Sequence, residues 1–170
     1  MMMKTGLLAV ALSIGVTGGT FAQDSDDPYV TFQVLRPELA LSMAQAAMDA
    51  CRDAGFQVGV TVVDRFGIPQ VFLRDRFAGV HVYETSRRKA WTAISFRTST
   101  SDLAVSTQAG QPASAIRNLS EALPLGGGLV VENGDGAMVA GIGVSGAPGG
   151  NFDDECALAG IAAIEDEIAF

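Results

Sequence analysis

Histidine and cysteine are scarce in this chain, which argues against zinc and iron–sulfur sites. The 170 residues contain one histidine, His81, and two cysteines, Cys51 and Cys156. Their spacing matches no zinc or iron–sulfur pattern. Outside the cytoplasm the two cysteines can be joined by a disulfide; alternatively they are two separate buried hydrophobic side chains. The sequence alone leaves both alternatives open.

Basic residues are outnumbered, and long apolar runs are rare. The chain has 11 Lys and Arg against 19 Asp and Glu, which gives a formal charge of −8 at pH 7. Such an acidic protein repels nucleic acid and anionic lipid, which argues against both as partners. A membrane-spanning helix needs about 20 apolar residues, and no segment after residue 22 meets that need. We therefore expect no nucleic-acid partner and no membrane span.

The most apolar stretch lies near the N-terminus and has the form of an export signal. It runs from Gly6 to Val16, after a basic residue, and small residues that include Thr20 and Ala22 follow it. A basic start, a short apolar core and small residues at the cleavage positions are typical of a secretory signal peptide. We predict a signal peptide over residues 1–22, cleaved after Ala22 or alternatively after Gln23. The mature protein is then periplasmic or secreted.

The mature chain has the length of one domain, roughly 148 residues. Residues 23–35 begin with a polar, acidic segment and are predicted to form a flexible N-terminal tail. Residues 36–170 are predicted to form the folded domain.

Two predicted hairpins alternate with helices along this domain. Apolar spacing and capping residues predict helices over 37–54, 82–97, 101–106, part of 112–123, and from Asn151 to near 170. Alternation of apolar and polar residues, bounded by turn residues, predicts strands over 56–63, 68–73, 129–132 and 137–144. Hairpins favour an antiparallel sheet, and hence an α+β fold. The first and last helices are both rich in alanine. If they pack side by side on one sheet face, Cys51 approaches Cys156.

The glycine-rich segments do not indicate nucleotide binding. The segment Gly141–Gly146 lies within and at the end of a predicted strand, whereas a dinucleotide-binding loop leads directly into a helix. The run at 126–128 lacks the lysine of a P-loop. Ser145 is a weak candidate for a hydrolase nucleophile, because nothing in the sequence links it to His81.

His81 is the most informative single residue because a cluster of basic residues surrounds it. That cluster contains Arg74, Arg76, Arg87, Arg88 and Lys89. A histidine can ligate a metal or heme, act as an acid or base, or cap a helix at the surface. Basic neighbours can pair with carboxylates of a bound ligand or with the chain's own acidic residues. Both alternatives remain open from these residues alone.

The segment around His81 resembles the GlcG/HbpS-like heme-binding family. Residues 73–96 read LRDRFAGVHVYETSRRKAWTAISF and are similar to the family's Arg-Asp loop, Gly-x-His and following Arg-Lys-Ala-x-Thr-Ala helix. The segments 62–67 and 141–154 also resemble the family, so that the similarity covers about residues 36–168. The chain departs from the common pattern at 127–131, where Gly-Gly-Leu-Val-Val stands in place of Gly-Gly-Ile-Pro-Ile.

The resemblance implies a profilin-like, antiparallel five-stranded sheet flanked by helices, assembled as a homo-oligomer from dimer to octamer. It also implies heme as a cofactor, with His81 as the axial iron ligand. Arg74, Arg76 and Lys89 are then the candidate partners of the heme propionates. Phe77 and Tyr83 are candidates for packing on the macrocycle.

Two other functions are compatible with the same resemblance. The first is a small-molecule lyase that acts on an aromatic acid, with His81 as general acid or base. The second is a non-catalytic accessory subunit of a larger partner. The sequence does not decide whether the protein is an enzyme.

Overall fold

The computed structural model of the protein describes residues 28–169. A boundary in the chain falls between Thr31 and Phe32. Residues 28–31, taken by themselves, contain no helix or strand. The predicted signal peptide and residues 23–27 of the predicted tail lie outside the described residues. The domain that begins at Phe32 includes buried Leu35, so it contains residues that the sequence prediction assigns to the tail.

The helices and strands follow the predicted order closely. In residues 28–169 the helices are α1 (Pro37–Asp53), α2 (Val82–Phe96), α3 (Thr100–Ser106), α4 (Gly150–Ala162) and α5 (Glu165–Ile168), and the strands are β1 (Gly59–Asp64), β2 (Pro69–Arg74), β3 (Gly128–Glu132) and β4 (Met138–Ser145). A short 3₁₀ helix spans Ser114–Asn118. No helix among the described residues is long and apolar enough to cross a membrane.

The prediction of one continuous C-terminal helix is wrong. The helix is capped by Gly149 instead of Asn151 and stops after Ala162; α5 follows as a separate turn. The break occurs where the chain turns Ile164 into the core, with its backbone N–H donating to the Ile161 carbonyl. Burial of this side chain therefore ends the helix early.

The four strands form one antiparallel sheet in the order β2-β1-β4-β3. An α+β fold with an antiparallel sheet flanked by helices is thus confirmed. The five-stranded sheet implied by the resemblance is wrong for the part of the chain described, because the sheet there has four strands. The side chain of Gln70 on edge strand β2 donates a hydrogen bond to the Leu35 carbonyl at 2.9 Å.

Helices α1 and α4 pack together on one face of the sheet and enclose the main core. The disulfide between Cys51 and Cys156 joins them, with 5.4 Å between the two α-carbons. Both cysteines are buried. The packing that the alanine-rich helices predict is confirmed, and the open question about the cysteines is settled in favour of the disulfide.

Helix α2 crosses the opposite face and lies unusually close to the sheet. A Cβ added at Gly143 would overlap the Ser86 carbonyl oxygen, and one added at Gly141 would lie 2.5 Å from the Ile94 side chain. The glycines of β4 thus permit close helix–sheet packing. This packing sets the position of α2, and hence of His81 at its start.

Candidate functional site

His81 caps the N-terminus of α2 and is exposed to solvent. Its backbone carbonyl accepts hydrogen bonds from the Thr85 N–H at 3.0 Å and from Thr85 Oγ1 at 3.1 Å. The imidazole itself makes no hydrogen bond to the described part of the protein. A Cβ at Gly79 would lie 2.6 Å from Cε1 and 2.7 Å from Nδ1 of this ring, but 3.8 Å from Nε2. The ring therefore faces Gly79 with its Nδ1 side and directs Nε2 away.

Apolar side chains are exposed on both sides of His81. Val80 is 90% exposed and Phe77 is 79% exposed, although each would gain free energy from burial. Tyr83 is also exposed, and its ring contacts Phe72 edge-on with 4.7 Å between centroids. We call the surface of Phe77, Val80, His81 and Tyr83 the His81 face. Exposed apolar clusters of this kind mark ligand or protein contacts more often than isolated exposed residues do.

The loop that carries Arg74 and Arg76 is anchored through the residue between them. Buried Asp75 accepts a hydrogen bond from Arg52 Nε at 2.7 Å and another from the Arg76 backbone N–H at 2.8 Å. The hydrogen bond from Arg52 holds the pKa of the Asp75 carboxyl below its usual value. Arg52 lies on α1, and nothing in its local sequence indicates that it belongs here.

The structure brings together Arg74, Arg76 and Phe77. The two arginines line a cavity of about 540 Å³ together with Arg52 and Asp75. The Arg76 guanidinium lies 5.6 Å from the centroid of the Phe77 ring. Neither Arg74 nor Arg76 forms an ion pair with a carboxylate of the described chain, although the charge of Arg76 helps to lower the pKa of Asp75.

Lys89 does not share this surface. Its side chain is 1% exposed, and its Nζ donates to Asp153 Oδ2 at 2.7 Å and to the Val144 carbonyl at 2.9 Å. Burial lowers the pKa of Lys89 and raises the pKa of Asp153, while their mutual attraction opposes both shifts. The predicted contact of Lys89 with a propionate therefore has no counterpart in this geometry. Its ion-pair partner, Asp153, lies 64 residues further along the chain.

Ser145 is not paired with His81. Its hydroxyl accepts a hydrogen bond from Thr85 Oγ1 at 2.7 Å, and the residue is buried. Among the described residues, no three His, Cys, Asp or Glu side chains are placed to hold a metal ion. Residues 28–169 thus contain neither a Ser145–His81 pair nor a group of three such side chains that could hold a metal ion. The His81 face remains the candidate site.

Known proteins share both the sequence pattern and the fold. A family model described as "Haem degrading protein HbpS-like" matches residues 35–162. No curated protein sequence matches the chain. A crystal structure of HbpS is 40% identical, with a TM-score of 0.76 over 81% of this chain and 94% of that one.

Two further solved structures are similar. A double mutant of Streptomyces reticuli HbpS is 36% identical, with a TM-score of 0.75, and covers 92% of this chain and 99% of its own. The PduOC:Heme complex is 28% identical, with a TM-score of 0.71, and covers 77% of this chain and 95% of its own. The chain therefore belongs to the HbpS-like family.

Proposed function

We propose that this protein is an exported heme-binding protein in which Nε2 of His81 is the axial iron ligand. The observation that carries the proposal is an exposed imidazole set among exposed apolar side chains. One relative is known as a heme complex, and the family is described as heme-degrading. Neutral imidazole is a common axial ligand of heme iron.

The residues around His81 suit a heme by their chemistry. A heme has an apolar macrocycle and two propionates, and the site offers exposed aromatic rings beside arginines without carboxylate partners. In the proposed complex, Phe77 and Tyr83, which are both exposed, cover part of the macrocycle. In the proposed complex, Arg74 and Arg76 form charge-assisted hydrogen bonds to the propionates. When bound, heme supplies a redox-active iron centre; the chain's own residues hold it and orient it.

A second subunit completes this proposal. The His81 face is open, so one chain alone would leave much of a bound heme in water. We propose a homo-oligomer, from dimer to octamer, in which another copy covers the face and shields the heme. Light scattering of the purified protein with and without hemin tests this part separately.

Export is supported by the disulfide as well as by the N-terminal pattern. Disulfides persist in oxidising compartments and are rare in the cytosol. A buried bridge between Cys51 and Cys156 is therefore consistent with a periplasmic or secreted location. Fractionation of cells that express the full chain, with N-terminal sequencing of the product, tests cleavage after Ala22.

Hemin titration of the mature chain tests the binding site itself. We compare the wild type with His81→Ala and with the double variant Arg74→Gln/Arg76→Gln. Arg36→Gln is the matched control, because Arg36 is exposed and forms no ion pair in the described chain. We expect His81→Ala to change the Soret band and weaken binding. We expect the double arginine variant to weaken binding with an unchanged band, and Arg36→Gln to match the wild type.

A further inference from the structure

A second cavity lies beyond the opposite end of α2 from His81. It has a volume of about 320 Å³, at the small end of the range for ligand sites. Its lining contains two arginines, one glutamate and several small or apolar residues: Arg65, Arg97, Val130, Glu132, Gly136, Ala137 and Met138. The two arginines come from different parts of the fold, the β1–β2 turn and the residue that caps α2.

Both guanidinium groups lack a carboxylate partner in the described chain. The Arg65 guanidinium lies 4.2 Å from the centroid of the Phe32 ring and 5.8 Å from that of Phe66, which restrains it by cation–π contact. Glu132 lines the same cavity but forms no ion pair with Arg65 or Arg97. Two unpaired arginines in one cavity are notable in a chain with a formal charge of −8.

The backbone of Arg97 adds an independent observation. It adopts φ 52° and ψ 44°, the left-handed conformation, and no other non-glycine residue between 28 and 169 has a positive φ. A helix that ends in this conformation usually has glycine there, because a Cβ is disfavoured. The arginine thus occupies a position where another residue suits the fold better, which is typical of functional sites.

We propose that this cavity binds a small aliphatic hydroxy acid. Arg65 and Arg97 bind its carboxylate, since guanidinium groups match carboxylates in charge and geometry. Val130 and Met138, both half-buried, contact its aliphatic body. Glu132 accepts a hydrogen bond from its hydroxyl group, which explains an acidic side chain beside two basic ones. The site is separate from the His81 face and requires no heme.

Calorimetric titration of the heme-free mature chain with three matched probes tests this site. Leucate carries the carboxylate, the hydroxyl and a branched body; isocaproate lacks the hydroxyl, and isocaproamide also lacks the charge. We expect affinity to fall in that order. Arg65→Gln and Arg97→Gly should each weaken leucate binding about tenfold or more, since each removes a charged hydrogen-bond donor.

The controls separate a lost ligand contact from a damaged fold. Arg97→Gly should not lower the melting temperature, because glycine suits the left-handed backbone. Arg36→Gln and His81→Ala should bind leucate like the wild type. Failure of leucate to bind the wild type would overturn the proposal. Equal binding of leucate and isocaproamide, or unaltered binding by both cavity variants, would overturn it as well.

Discussion

The imidazole of His81 lies directly over the backbone of Gly79, and the ring fits there only because residue 79 has no side chain. A Cβ at this position would come within 2.6 Å of Cε1 and 2.7 Å of Nδ1. The Gly-x-His pattern therefore has a steric meaning. Glycine leaves room for the ring, and Nε2 lies further from the Cβ position, at 3.8 Å, than Nδ1 does.

Gly79→Ala should displace the ring without unfolding the protein. The added methyl meets only the end of an exposed side chain, so the free energy of unfolding should change by less than about 0.5 kcal/mol. Hemin affinity should fall, and the Soret band should shift. The matched control is Gly149→Ala, whose methyl meets the Asn151 side chain at 2.7 Å at the start of α4. Equal hemin binding by both variants would contradict the steric role of Gly79.

The ion pair of Asp75 and Arg52 should make stability depend on acid pH. Because Arg52 lowers the pKa of Asp75 below 3.8, the ionised carboxylate stabilises the fold above pH about 4. That stabilisation is lost as pH falls through the lowered pKa. Asp75→Asn should be less stable than the wild type at neutral pH, and the difference should shrink on acidification. Urea unfolding at several pH values measures this, with exposed Asp53→Asn as the control.

The same variant should affect the candidate site. Asp75 fixes the backbone of the loop between Arg74 and Arg76, so its loss should also weaken hemin binding at neutral pH. The difference in unfolding free energy between Asp75→Asn and the wild type should not stay constant from neutral to acid pH. A constant difference would show that Asp75 does not act through its charge.

The buried pair of Lys89 and Asp153 should be costly to break from one side. Lys89→Met leaves an uncompensated carboxylate in the interior and should lower the free energy of unfolding by about 3–5 kcal/mol. The double variant Lys89→Met/Asp153→Leu should recover part of this loss. Recovery should be incomplete, since Asp153 also accepts a hydrogen bond from the Ala147 N–H at 3.0 Å. Urea unfolding of the wild type, Lys89→Met and the double variant measures these free energies. A double variant that is no more stable than Lys89→Met would contradict the claim that the unpaired carboxylate causes the loss.

The disulfide should contribute strongly to stability because it closes a long loop. Cys51 and Cys156 are 105 residues apart in sequence. In the chain-entropy picture a bridge of that span stabilises by about 2–5 kcal/mol. Cys51→Ala/Cys156→Ala should therefore unfold at a lower urea concentration than the oxidised wild type. A change below about 1 kcal/mol would mean that helix packing alone holds α1 against α4.

The regular elements were predictable from sequence, whereas the long-range contacts were not. Alternating apolar residues and the segment Asn133-Gly134-Asp135-Gly136 identify the second hairpin locally. The structure has this hairpin, with the positive φ at Gly136. The break before Ile164 depends on a core contact that no local pattern reports. The burial of Lys89 is unpredictable for the same reason. Its neighbours in sequence are basic, but its side chain is buried against Asp153, which is distant in the chain.

The residues of the candidate site also differ in how far the sequence predicts them. His81, Phe77 and the two arginines are close in sequence, so one segment places them near each other. The sequence does not indicate Arg52, because its contact with Asp75 joins residues that are 23 positions apart in the chain. Sequence spacing does not report the distance between two helices, so the sequence alone does not decide whether the disulfide forms.

Axial ligation by Nε2 of His81 is the central claim, and one spectroscopic comparison tests it most directly. Hemin is added to the mature wild type and to His81→Ala at equal protein concentration, and the Soret region and the affinity are recorded. We predict a shifted Soret band and weaker binding in His81→Ala, with partial recovery when free imidazole is added. An identical band and affinity in the two proteins would contradict the claim.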